Sequence, residues 1–137
     1  MTRKGTRIAV LGVIAAAVFA GSSLASTQKT LTIRHQTHGC HSWSLGANWN
    51  PSQATTLKRG ATIVVVNHDV MPHKLIQMSG PTAHVTTPAM NHMSAIAHVS
   101  FPKAGVYVFT TKAGEDYMKG VKTTGEDNVL HLKVTVR

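Results

Sequence analysis

Hydrophobic and polar positions alternate in several short runs along the chain, the period expected of strands with one buried face. Leu31 and Ile33 alternate with Thr32 and Arg34 over 31–35. A turn at Lys58, Arg59 and Gly60 leads into 61–67, whose β-branched run of Thr62, Ile63, Val64, Val65 and Val66 predicts a central strand. Segment 73–78 reads as a strand. So does 95–101, with Ile96, Ala97, Val99 and Phe101 as its apolar members, and so does 106–111 beyond a turn at 102–105. The last run, 129–136, sets Leu130, Leu132, Val134 and Val136 on one face. Stretches 79–94 and 112–128 read as loops, the first rich in Pro, Thr, His and Met, the second in Gly and charge. After residue 25 no segment keeps a helical period over three turns, and no internal repeat is present. The pattern predicts an all-β sandwich.

The first residues follow a different logic. Arg3, Lys4 and Arg7 precede an apolar run at 8–20, and small residues follow up to Ala25. This is the layout of a secretory signal peptide, expected over 1–25, with one domain over 26–137. Thirteen helical residues cover only about 20 Å, short of a hydrocarbon core of ~30 Å. No permanent membrane span is therefore expected, and the domain is expected to be exported to the periplasmic or extracellular side. No twin arginine is present and no cysteine lies near the cleavage point, so export unfolded and without a lipid anchor is expected.

The segment 26–137 holds eleven Lys and Arg against five Asp and Glu, a formal charge of +6. The cations are scattered, and aromatic residues are too few to build a stacking surface, which argues against nucleic acid. A basic solvated surface is the favoured reading, and docking to an acidic redox protein partner is the weaker functional one, because charge steers encounter. One cysteine, Cys40, stands against nine histidines and five methionines in the same segment. It has no internal disulfide partner. Soft and borderline donors outnumber carboxylates, which points to copper or zinc and away from calcium or magnesium.

Two stretches resemble a known family. The glycine turn, apolar strand, Asn67-x-Asp69 and Pro72-His73 over 60–73, together with Phe101, Gly105, Tyr107 and Phe109 over 99–109, are similar to the cupredoxins, and the similarity extends over about 60–136. The resemblance implies a Greek-key β-sandwich of the cupredoxin type, with about seven to eight strands and copper held by loops at one end. His73 takes the place of the first histidine ligand. The family's cysteine position, two residues beyond Phe109, is Thr111 here, and the loop that follows has no histidine, although Met118 and Gly120 resemble the usual Met-x-Gly.

In that architecture the loop after the first strand lies at the copper end, and here it carries His38, Cys40 and His41. The expected metal ligands are thus Cys40, His73, His41, His38 and Met118. Cys40 supplies a thiolate whose pKa neighbouring imidazoles and a metal lower, and His38 and Cys40 project to one side if the segment is extended. Glu115 or Asp116 offers an oxygen donor in place of Met118. Met90, His92 and Met93 form a second candidate copper-loading loop, with Met78 and His84 nearby; a flexible loop with scattered soft residues remains the alternative. His35 reads as a strand residue, and His68, His84, His98 and His131 as solvent-facing. Trp43 and Trp49 read as packing residues, Trp43 also as a shield for the metal.

The expected function is one-electron transfer at a mononuclear copper centre. Copper storage or delivery is the alternative, and a metal-free sandwich used for binding or adhesion is the third. With no Ser/His/Asp order, no carboxylate pair in a credible catalytic setting and no phosphate loop, the chain is not expected to be an enzyme.

Overall fold

The computed structural model describes residues 27–35, 41–122 and 129–137. The predicted signal segment, His38 and Cys40 lie outside the described residues. Ten strands follow in order: β1 (Gln28–His35), β2 (His41–Ser44), β3 (Ser52–Leu57), β4 (Thr62–His68), β5 (His73–Ser79), β6 (His84–Thr86), β7 (Ala89–Met90), β8 (Ile96–Ser100), β9 (Gly105–Ala113) and β10 (His131–Val136). They form two five-stranded sheets, ordered β2-β1-β4-β8-β6 and β3-β10-β9-β5-β7. The architecture is an all-β sandwich of two mixed five-stranded sheets, the fold class that the alternation predicts.

Alternation fixes which face of each strand is buried. Leu31 and Ile33 of β1, Ile63 and Val65 of β4, Ala97 and Val99 of β8, Tyr107 and Phe109 of β9 and Leu132, Val134 and Val136 of β10 turn inward. The rings of Phe101, Tyr107 and Phe109 meet edge to face in this core, the arrangement that aromatic quadrupoles favour. Trp43 is fully buried in the same core, its indole N–H donating to Pro51 O at 2.9 Å. Ile96, predicted with the apolar members of its strand, faces outward and is exposed.

Four strands go beyond the sequence expectation: β2, β3, β6 and β7. Strand β3 runs parallel to β10 at the edge of its sheet, with Thr55 opposite Val134 and Leu57 opposite Val136. Its exposed Ser, Ala and Thr positions leave no strong apolar alternation to read. Strands β6 and β7 are three and two residues long, too short to carry a period.

Register sets up one end of the sandwich. In the antiparallel β1–β2 pair His35 lies opposite His41, and in the parallel β1–β4 pair Arg34 lies opposite His68. The end of β1, the start of β2 and the β4–β5 connection therefore share one end. His73 opens β5 between Met90 of β7 and Ala113 of β9, which brings the β9–β10 connection to the same end.

The β8–β9 turn is tied by buried Tyr107, whose hydroxyl donates to Lys103 O at 2.7 Å. Tyr107→Phe is expected to cost about 1 kcal/mol, read as a lowered urea midpoint with an unchanged slope.

Candidate metal centre

Asn67, the last inward residue of β4, is buried and its amide joins three segments. Its Nδ2 donates to Met71 O at 2.9 Å and Met90 O at 3.1 Å, and its Oδ1 accepts from the Asp69 N–H at 2.9 Å. Its main chain bonds Ala95 and Ser94. This local folding turns the side chain of Asp69 inward, where it is wholly buried. The Met71 N–H donates to Asp69 Oδ1 at 3.1 Å, which closes the turn.

Two buried histidines converge on the other oxygen. His41 Nδ1–H donates to Asp69 Oδ2, and His73 Nε2–H donates to the same oxygen at 2.9 Å. The two rings stand edge to face with centroids 4.6 Å apart. His35, about half exposed, brings Nδ1 to 3.7 Å from Asp69 Oδ1. On its far side His73 Nδ1 accepts from the Thr111 hydroxyl at 3.3 Å. Burial alone would raise the Asp69 pKa, but the hydrogen bonds from His41, His73 and the Met71 N–H outweigh it and hold the carboxyl well below the usual carboxylate range.

A buried carboxylate is costly without a counter-charge. Among the described residues the charge partners of Asp69 are His35, His41 and His73. One ligand atom each from His35, His41 and Asp69 lies within 4.8 Å of the others, close enough to share one ion. Imidazole and carboxylate suit Cu(II) or Zn(II) better than Cu(I), Ca(II) or Mg(II), so the donor set fits a borderline metal.

Of the residues expected from sequence, the fold brings His41 and His73 together. Met118 lies half-buried in the turn after β9, where its N–H donates to Gly114 O at 2.6 Å. That turn lies against the site end, since a Cβ on Gly114 would come within 3.1 Å of Pro72. Glu115 keeps Oε2 buried with no hydrogen-bond partner among the described residues, while Asp116 is exposed. In the second candidate loop Met90 belongs to the core, whereas His92 and Met93 are exposed, so the three do not present one surface. His68, His84, His98 and His131 are exposed, and Trp49 stacks beneath the Arg34 guanidinium.

Two residues of the cluster were not expected. His35 ends a strand whose alternation assigns it no special role, and Asp69 reads as part of a loop. The available signal was Asn67-x-Asp69 just before Pro72-His73, because a short Asx turn aims the second side chain back at its own loop.

No family model matches the chain, and no curated protein matches it. Among solved structures, the purple cupredoxin from Nitrosopumilus maritimus is similar at 16% identity, covering 80% of this chain and 99% of that one with a TM-score of 0.48. Amicyanin from Paracoccus versutus is similar at 16% identity, covering 84% and 86%, with a TM-score of 0.44. A cysteine protease inhibitor from Entamoeba histolytica is similar at 8% identity, covering 80% and 97%, with a TM-score of 0.43. A shared sandwich does not by itself fix a function.

Two outcomes follow for the metal-free protein. Asn67→Ala leaves the Asp69 N–H and two main-chain carbonyls without partners and is expected to cost about 3 kcal/mol, measured by urea unfolding. The Asp69 pKa is lower folded than unfolded, so its stabilisation is complete above the ordinary aspartate value and is lost as pH falls through the folded value. Unfolding free energies from about pH 6 down to about pH 2.5 should therefore fall more steeply for the native sequence than for Asp69→Asn.

Proposed function

We propose that the chain is an exported copper-binding protein that carries one electron, with a single ion held at the histidine end of the sandwich. The observation that supports this most is the convergence of His35, His41 and His73 on the buried Asp69 carboxylate. His41 would bind through the nitrogen turned away from Asp69, and His73 through Nδ1, which would exchange the Thr111 hydroxyl for the ion. Cys40, next to His41 in the chain, supplies the thiolate, His38 belongs to the same ligand loop, and Met118 is the thioether donor from the β9–β10 connection. Copper bound there would supply a one-electron couple.

The residues themselves do the remaining work. Asp69 accepts the N–H of each buried imidazole, which fixes ring orientation and tautomer, the usual role of a carboxylate behind a metal-bound histidine. The Asn67 amide holds the loops that carry them, so the ligand frame keeps its shape when the charge at its centre changes. The half-exposed His35 edge is the route by which a redox partner approaches, and the basic surface favours an acidic one.

That same exposure of His35 favours a second reading, copper delivery, in which an accessible imidazole hands the ion on. Titration separates the two. Cu(II) is expected to bind one per chain, with intense visible sulfur-to-copper absorption that disappears in Cys40→Ser. His41→Ala and His73→Ala are expected to weaken binding more than tenfold. A colourless product that prefers Cu(I) and passes it to a chelating partner supports delivery, and binding of neither ion sinks both readings.

A further inference from the structure

The outward face of the first sheet carries a histidine pair that plays no part in the Asp69 group. In the antiparallel β6–β8 pair His84 lies opposite Ser100, and Thr86 lies opposite His98. Opposite residues share a face, as do residues two apart along a strand. His84 and His98 are therefore diagonal neighbours on one face, and both are exposed. Diagonal positions on paired strands lie about 7–8 Å apart, within reach of two imidazoles. With Gln28, Thr62 and Ser100 the two histidines line one depression of about 230 Å³.

The frame beneath the pair is pinned on both sides of β6. Before it, buried Ala83 donates its N–H to Gln77 Oε1 at 3.0 Å, and Gln77 Nε2 donates to Pro81 O at 2.7 Å. After it, the Thr87 hydroxyl donates to Ile96 O at 2.7 Å. Thr87 sits at φ 49°, a conformation costly for a β-branched residue, and its bond to β8 helps to hold it there. The spacing of the two rings is thus set by β8 and by the chain on either side of β6.

Among the described residues no Lys, Arg, Asp or Glu lines the depression. No ammonium or guanidinium there repels a cation, and no carboxylate favours a hard one. Paired imidazoles suit Cu(II) and Zn(II). The pair is also remote from Asp69. Val64, opposite His98, lies five residues before Asp69, a span of about 16 Å along a strand. One ion cannot serve both groups.

We propose that His84 and His98 bind one borderline divalent cation, Cu(II) or Zn(II), at a site separate from the Asp69 group. The imidazoles supply two nitrogen ligands, and water, with the Gln28 amide or Ser100 hydroxyl oxygen, fills the other positions. Two protein ligands leave the ion exchangeable, so the site takes metal up and releases it. Of the two ions, Cu(II) binds the tighter.

The test is a Zn(II) titration of the full-length chain, followed through its imidazole resonances by nuclear magnetic resonance. Zn(II) is diamagnetic, so each ring reports its own binding. The His84 and His98 rings are expected to shift with one common half-saturation point, ahead of exposed His68 and His131. Two imidazoles on one frame make the second bond intramolecular. His84→Gln is therefore expected to raise the His98 half-saturation concentration at least about tenfold, and His98→Gln to do the same for His84. His131→Gln is expected to change neither. His41 and His73 are followed in the same spectra, so a failure of the Asp69-centred site is seen separately. Different half-saturation points for His84 and His98, shifts no earlier than those of His68 and His131, or a His98 curve unchanged by His84→Gln would overturn the proposal.

Discussion

One buried carboxylate organises the end of this molecule where its chemistry is concentrated. Asp69 has exchanged water for two imidazole N–H groups and one main-chain N–H, and that exchange is favourable only while all three donors stay in place. The donors come from β2, from β5 and from the loop between β4 and β5, segments up to 32 residues apart in sequence. The carboxylate converts three connections into one rigid group. Asn67 extends the same logic outward, its amide bonding β7 and the loop that Asp69 closes.

Such a group needs a scaffold that cannot slip. A strand displaced by one residue turns every inward side chain outward. In β1 that would expose Leu31 and Ile33 and bury their polar neighbours, so the core itself locks His35 opposite His41. Strand β5 is locked likewise by β9 and β7, which places His73 where its two nitrogens meet Asp69 and Thr111. Apolar burial thus sets the positions, and polar contacts set the orientations.

The strands with clear alternation were legible in the sequence, and His41 and His73 do meet at one end, although His41 opens β2 where a loop was expected. What stayed hidden has physical reasons. Strand β3 is half-exposed and Thr-rich, and it gains its place from parallel pairing with β10, a contact eighty residues away that no local pattern reports. Asp69 stood among five scattered carboxylates, and nothing local separates a buried one from a solvated one. Only the enclosing fold does that. His35 gained its role from its partner across the hairpin, a relation that depends on register.

Thr111 connects the sequence pattern with the site chemistry. It occupies the position where the cupredoxin resemblance leads one to look for a cysteine, and its hydroxyl meets the Nδ1 of His73. Strand β9 therefore still reaches the histidine but presents a hard oxygen in place of a soft sulfur. The described donors around Asp69 are imidazole nitrogens and carboxylate oxygens, a set that favours a divalent ion over a monovalent soft one. Redox cycling of copper calls for a softer donor as well, and the chain has one cysteine to offer, directly before His41. His41 comes from the first sheet and His73 from the second, so the group around Asp69 is held by both sheets at once, and binding of an ion there would be coupled to their packing.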